Sequence, residues 1–140
     1  SAKLIVNNLV KLSNDLDNID LRDNMMTACM YAGLAFSNTQ TAIAHAISYY
    51  VTAHKGVPHG LACSFTLPIL IDNIIGRYGF VDDSLIEIFG ELGSNRLRVL
   101  LKELNVPTGF ESYNINEKEL IVLKKSLQNN RRAMNSLVSI

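Results

Sequence analysis

His45, His54 and His59 are the only imidazoles of the chain, and all three fall in one stretch, Ser37 to Pro68, SNTQTAIAHAISYYVTAHKGVPHGLACSFTLP. Imidazole is a common metal ligand and ionises near neutral pH, so a cluster of histidines raises the question of metal binding first. Charge is nearly absent around them: Lys55 is the only Lys, Arg, Asp or Glu between Asp23 and Asp72, in a chain that is 19% charged. A segment so depleted is either a buried core or a site.

The three histidines sit in different settings. His45 lies in TAIAHAISYYV, where Ile43, Ile47, Tyr50 and Val51 recur at three- and four-residue spacing and predict a helix. Ring nitrogens on an apolar helix need partners, because an unpaired buried polar group costs ~1–3 kcal/mol. His54 stands beside Lys55 and Gly56, the composition of a helix end: cations at the negative end of the dipole, then glycine in the left-handed position. Its reading is capping. His59 follows Pro58, which predicts the first position of a new helix with His59 in its first turn. The positive end of the dipole disfavours imidazolium there and leaves the neutral ring a metal requires. Two rings on successive helices can converge, but structural zinc sites use about four ligands and open catalytic ones about three. Spacing alone leaves both a metal site and satisfied core histidines open.

The longer run AGLAFSNTQTAIAHAISYYVTAHKGVPHGLACSFTLP resembles the iron-containing alcohol dehydrogenase family, within the dehydroquinate synthase-like superfamily. Ala32, Gly33, Ala35, Phe36, Ser37, Asn38 and Thr39 match the opening of the family's pattern. His45 and Ala46 match its first metal-binding histidine, Pro58, His59 and Gly60 the second, and Leu67-Pro68 its close. The resemblance implies that His45 and His59 are two of four metal ligands and that Phe36 lines the substrate pocket.

Three departures limit what the resemblance carries over. Where many relatives have a histidine four residues after the first ligand, linked to proton relay or nicotinamide contact, this chain has Tyr49. That position lies one helical turn on and faces the same cleft, so Tyr49 is the candidate catalytic residue, as a proton or orienting contact. A phenol donates a proton readily but is a poorer base than imidazole at neutral pH. The family's other two ligands come from an Asp-x-x-x-His, which is absent: Thr41, Tyr50 and Lys55 stand four residues before the three histidines. No Gly-x-Gly occurs either, so the N-terminal nucleotide-binding domain that holds NAD(P) in the family has no counterpart in these residues.

The expectation is therefore a single helical metal-binding domain over residues 1–140, the C-terminal part of an alcohol dehydrogenase-like oxidoreductase that interconverts alcohols and aldehydes or ketones with NAD(P). Alone it should be inactive. The resemblance implies a divalent metal, iron before zinc, and a small-molecule alcohol or aldehyde as partner. Two alternatives stand beside it: a catalytically dead helical remnant acting as an interaction or structural module, and a zinc-using relative resembling glycerol dehydrogenases.

Composition bounds these readings. One hundred and forty residues allow one domain with a sizeable core. Thirteen basic and thirteen acidic residues cancel, which argues against charge-driven binding to nucleic acid or membranes. Cys29 and Cys63, both in apolar helical surroundings, read as buried reduced thiols and point to a cytoplasmic protein. The run from Leu61 to Ile71 is too short to span a bilayer. The opening at Ser1 reads as an excised piece, whose uncovered surface should favour a homo-oligomer.

The positioning elements are helices throughout, giving an all-α, multi-helix bundle like the family's C-terminal domain. Ala2 to Leu12 predicts a short amphipathic helix with Leu4, Ile5, Leu9 and Leu12 on one face, and Ser13 to Asp20 a polar link. Asp20 is expected to cap a helix from Leu21 to Phe36, with Met25, Met26, Cys29, Met30 and Ala32 as a soft core face. SNT should break that helix, because short polar side chains compete for backbone hydrogen bonds. A helix from Pro58 toward Ile75 is kinked or split at Pro68. Asp82 or Asp83 caps SLIEIFGELG, Ser94 caps NRLRVLLKEL, and Asn116 starts EKELIVLKKSLQ. The tail NNRRAMNSLVSI resembles the family's last segment, with Ser136 in place of its proline, and its Arg131-Arg132 pair reads as a solvated or carboxylate-paired surface rather than a phosphate clamp.

Overall fold

The computed structural model describes residues 1–90 and 92–140. The elements run α1 (Ala2–Asn14), α2 (Ile19–Thr39), α3 (Ile43–Lys55), α4 (His59–Ser64), α5 (Leu67–Ile74), α6 (Gly79–Phe89), α7 (Asn95–Glu103), a 3-10 turn (Phe110–Tyr113), α8 (Glu117–Leu127) and α9 (Arg131–Met134). No strand occurs among the described residues, as the helical periodicity predicts. None of the helices they form is long and apolar enough to cross a membrane.

α3 is the axis of the bundle. Its Ile43, Ala46, Ile47 and Val51 are buried, and α4, α8 and α9 pack around it. Leu97, Leu100 and Leu101 of α7, Leu123 and Leu127 of α8, and Leu85 and Phe89 of α6 complete one continuous core. Phe65, fully buried just after α4, meets Phe110 edge-on at 5.3 Å and Tyr113 at 4.4 Å between ring centres. Aromatic pairs at this spacing add to the burial itself. The 3-10 turn is thereby clamped against the end of the helix that begins with His59.

The ends of α3 and α8 follow the local chemistry. Gly56 takes the left-handed conformation (φ 67°) that terminates α3, and its N–H donates to the Thr52 carbonyl. Lys55 reaches across to Glu119 at 2.6 Å, tying the end of α3 to the start of α8. There Asn116 accepts from the Glu119 N–H while the Glu119 carboxylate accepts from the Asn116 N–H, a reciprocal capping box.

Several boundaries differ from the expectation. α2 begins at Ile19, capped by the Asn18 side chain, which accepts from the Leu21 N–H at 3.1 Å; Asp20 already lies inside the helix. It does not break at SNT. Ser37 Oγ and Asn38 Nδ2 each donate to the Leu34 carbonyl at 2.8 Å, and Thr39 Oγ1 donates to that of Ala35 at 3.2 Å. The groups expected to compete with the helix instead bond back along it, and the turn comes at Gln40 (φ 65°).

The soft face of α2 is not core. Met26 is 72% exposed, Met30 56%, and Cys29 is exposed, because α2 packs mainly on α1 and only Ala28 is buried. Cys63 is partly buried rather than fully enclosed. Asp82 lies in the first turn of α6, not at its cap, and its carboxylate accepts from the Gly76 N–H at 3.1 Å. That helix ends at Phe89, with Gly90 left-handed beyond it; the expected extension crosses Glu91, outside the described residues. Ser94 stands at the head of α7 but makes no side-chain cap; its Oγ accepts from Arg98 Nε at 3.0 Å. Pro68 falls in the first turn of α5, where its missing N–H costs nothing, so the predicted helix is split into α4 and α5.

Candidate metal centre

α3 and α4 bring two of the three histidines together. His45 lies in the first turn of α3 and is partly buried; His59 is the first residue of α4 and exposed, with Pro58 one place earlier than predicted, at the cap. Their ring centres are 5.6 Å apart and their planes inclined by 63°. His54 stands apart at the other end of α3, stacked on Tyr50 at 4.3 Å with its Nδ1 bonded to the Tyr50 carbonyl at 2.9 Å.

The contacts around His59 suit one of its two tautomers. Ser48, fully buried on α3, donates its only hydroxyl proton to the His45 carbonyl at 2.8 Å, and its Oγ lies 3.3 Å from His59 Nδ1. With the Ser48 proton on the His45 carbonyl, its oxygen can accept from a hydrogen on Nδ1, the tautomer that would leave the Nε2 lone pair for a metal. Cys63 Sγ lies 3.6 Å from that Nε2.

One ligand atom from each of His45, His59 and Cys63 lies within 4.8 Å of the other two. No hydrogen bond occupies the His45 ring among the described residues. Two imidazoles and a thiol are a donor set suited to zinc, iron or a similar borderline ion. The residues present therefore fit part of a metal's coordination sphere.

The electrostatics favour the ligand form of His45. Its pKa is lowered from 6.5, first by burial, then by the charges of His59 and Arg132. A neutral ring is what coordination needs.

The other two predicted residues border the centre. Tyr49 is half-exposed, with its ring centre 5.6 Å from that of His59 and the Arg132 guanidinium 5.0 Å above it. Phe36, also half-exposed, lines an open cleft of about 380 Å³ with Gln40, Thr41, Arg131 and Arg132. Arg132 belongs to both groups and joins them. Cys63 and Ser48 escaped the sequence reading, although Cys63 stands four residues after His59 and so shares its helix face. The sequence marks Arg132 only as one of a basic pair, because its neighbours in space come from much earlier in the chain.

Comparison with known proteins gives a consistent result. The model described as "Fe-containing alcohol dehydrogenase family, C-terminal" matches residues 1–136. The sulfoacetaldehyde reductase of Bilophila wadsworthia is 31% identical over 154 residues, covering 95% of this chain and 40% of that protein. The NAD-dependent methanol dehydrogenase of Bacillus methanolicus is 27% identical, with 90% and 36% covered. Among solved structures, the sulfoacetaldehyde reductase of Bifidobacterium kashiwanohense in complex with NAD+ superimposes with a TM-score of 0.87 at 26% identity, over 99% of this chain and 38% of that one. The chain thus spans about two-fifths of the length of these relatives.

Proposed function

Because this chain belongs to the Fe-containing alcohol dehydrogenase family, as its C-terminal helical domain, we propose that it supplies the metal-holding half of an NAD(P)-linked oxidoreductase acting on a small alcohol or aldehyde. The observation that carries the reading is the approach of His45 to His59, 5.6 Å between ring centres on two successive helices. By resemblance of the surrounding sequence, these two positions correspond to metal-binding histidines of the family.

A bound divalent metal supplies Lewis-acid polarisation of a substrate oxygen. The chain's own part is positional. Ser48 contacts His59 at Nδ1, and burial lowers the pKa of His45 and so favours its neutral, ligating form. Tyr49, one turn beyond His45, presents a hydroxyl near the same rings to orient the substrate or pass a proton. Phe36 walls the adjoining cleft. The nicotinamide would come from a nucleotide-binding portion outside these 140 residues, since they contain no glycine-rich phosphate turn.

Zinc is a second reading for the ion, favoured by the Cys63 sulfur 3.6 Å from His59 Nε2, because thiolates prefer softer metals than carboxylates do. Metal titration under anaerobic conditions tests the proposal. The chain should bind one Fe2+ or Zn2+, and His45→Ala or His59→Ala should weaken that binding by at least about 100-fold, beyond the range typical of outer-shell partners. The 140 residues alone should not reduce NAD(P) with simple alcohols. Metal binding that survives both substitutions would remove the proposal.

A further inference from the structure

The cleft beside the two histidines is cationic. Arg131 and Arg132 line it with Phe36, Gln40 and Thr41, and no acidic residue among the described ones contributes to its wall. The ion pairs among the described residues join Lys3 to Glu87, Lys55 to Glu119 and Arg98 to Asp72, leaving both arginines without a carboxylate partner.

Arg132 is held in place by backbone and side-chain bonds at both ends of its short helix. Asn130 accepts from the Arg132 and Ala133 N–H groups at 2.9 and 3.3 Å. At the other end, Asn135 Nδ2 donates to the carbonyls of Thr39 (2.9 Å) and Thr41 (3.3 Å), pinning α9 to the connection between α2 and α3. These bonds set the backbone of α9 beside α3, and the guanidinium lies over the Tyr49 ring, 5.0 Å from its centre. A cation held over an aromatic face is attracted to it while its N–H groups remain able to donate to an anion. Tyr49 in turn lies 5.6 Å from His59, so a single aromatic ring separates the guanidinium from the candidate metal ligands.

We propose that Arg132 binds an anionic group at the far end of a short aldehyde or alcohol, a sulfonate, phosphonate or carboxylate, and so selects charged substrates over neutral ones. This rests on the function proposed above, with the reacting oxygen at His45 and His59. Guanidinium donates two parallel hydrogen bonds to such an anion, and charge-assisted bonds of this kind are about twice as strong as neutral ones. Arg131, at the rim of the same cleft, adds long-range attraction.

The test uses the zinc-loaded chain, with 2-hydroxyethanesulfonate and 1,3-propanediol as charged and neutral probes, followed through the ring signals of Tyr49, His45 and His59 by NMR. The sulfonate should bind at least about tenfold more tightly than the diol. Arg132→Gln should abolish that difference with the far-UV spectrum unchanged, and Arg132→Lys should restore part of it. Equal affinities in the unaltered chain, no sulfonate-induced shift, or full sulfonate affinity in Arg132→Gln would each overturn the proposal. So would Arg132-dependent binding of inorganic pyrophosphate in preference to the sulfonate, which would assign the arginine to a nucleotide. A chain whose histidines ignore zinc, yet whose Tyr49 still reports sulfonate through Arg132, would keep the anion subsite and refute the metal reading.

Discussion

Ser48 Oγ stands 3.3 Å from His59 Nδ1 while its proton is given to the His45 carbonyl at 2.8 Å, so one buried hydroxyl links the two candidate ligands. It orients the His59 ring and is itself held by the backbone of the helix carrying His45. Outer-shell partners of this kind typically contribute 10–100-fold to metal affinity. Ser48→Ala should therefore weaken binding of Zn2+ roughly tenfold, the lower end of that range, with no loss of helicity. Competition against a chromophoric chelator measures the change, and an unaltered affinity would show that Ser48 does not set the ring.

Acid should act on His45 in a defined direction. Burial first, then His59 and Arg132, hold its folded-state pKa below 6.5. Where the folded value lies below the unfolded one, the unfolded chain binds more protons between the two. The stability His45 contributes is thus complete above about pH 6.5 and is lost as the pH falls through the lower folded value. An NMR titration should find the His45 midpoint below 6.5, and Arg132→Gln should move it upward by removing one of the three causes. A midpoint at or above 6.5 would contradict the geometry.

Phe65 tests how the site is supported. It is fully buried and packs on Phe110 and Tyr113, beyond the end of the helix that begins with His59. Phe65→Ala should cost about 3–5 kcal/mol in denaturant unfolding, the range for emptying a large aromatic site. Metal affinity should fall with it, because α4 loses its anchor. A loss under about 1 kcal/mol would mean that the 3-10 turn is not a structural clamp.

The cap of α8 gives a smaller, separable effect. Asn116→Ala removes the bond to the Glu119 N–H and should cost about 1 kcal/mol. It lies away from His45 and His59, so metal affinity should stay the same. A parallel loss of both would indicate that α8 governs the site as well.

Much of this arrangement was legible in the residues, and the failures have physical causes. Helical periodicity gave the all-α class, Gly56 the end of α3, and Asn116 with Glu119 the start of α8, because each of these signals is local. The methionine face of α2 misled, since period tells which residues share a face but not whether anything covers it. SNT misled in the other direction: Ser37, Asn38 and Thr39 bond to carbonyls three or four residues back, and so extend the helix they were expected to end. His45, Tyr49, His59 and Phe36 stand out by resemblance alone, and the structure gathers the first three, with Phe36 in the cleft that Arg132 shares. Arg132 itself is brought to Tyr49 only by the packing of α9 on α3, which no short window of sequence reveals.

The most direct test of the account is a titration of the chain with Zn2+ in which the three histidine ring signals are followed separately. The signals of His45 and His59 should move together and saturate at a single ion per chain, while His54, stacked on Tyr50 at the far end of α3, stays where it was. Independent shifts at His45 and His59, or a response that begins at His54, would show that the two rings do not share an ion and would contradict the proposed function.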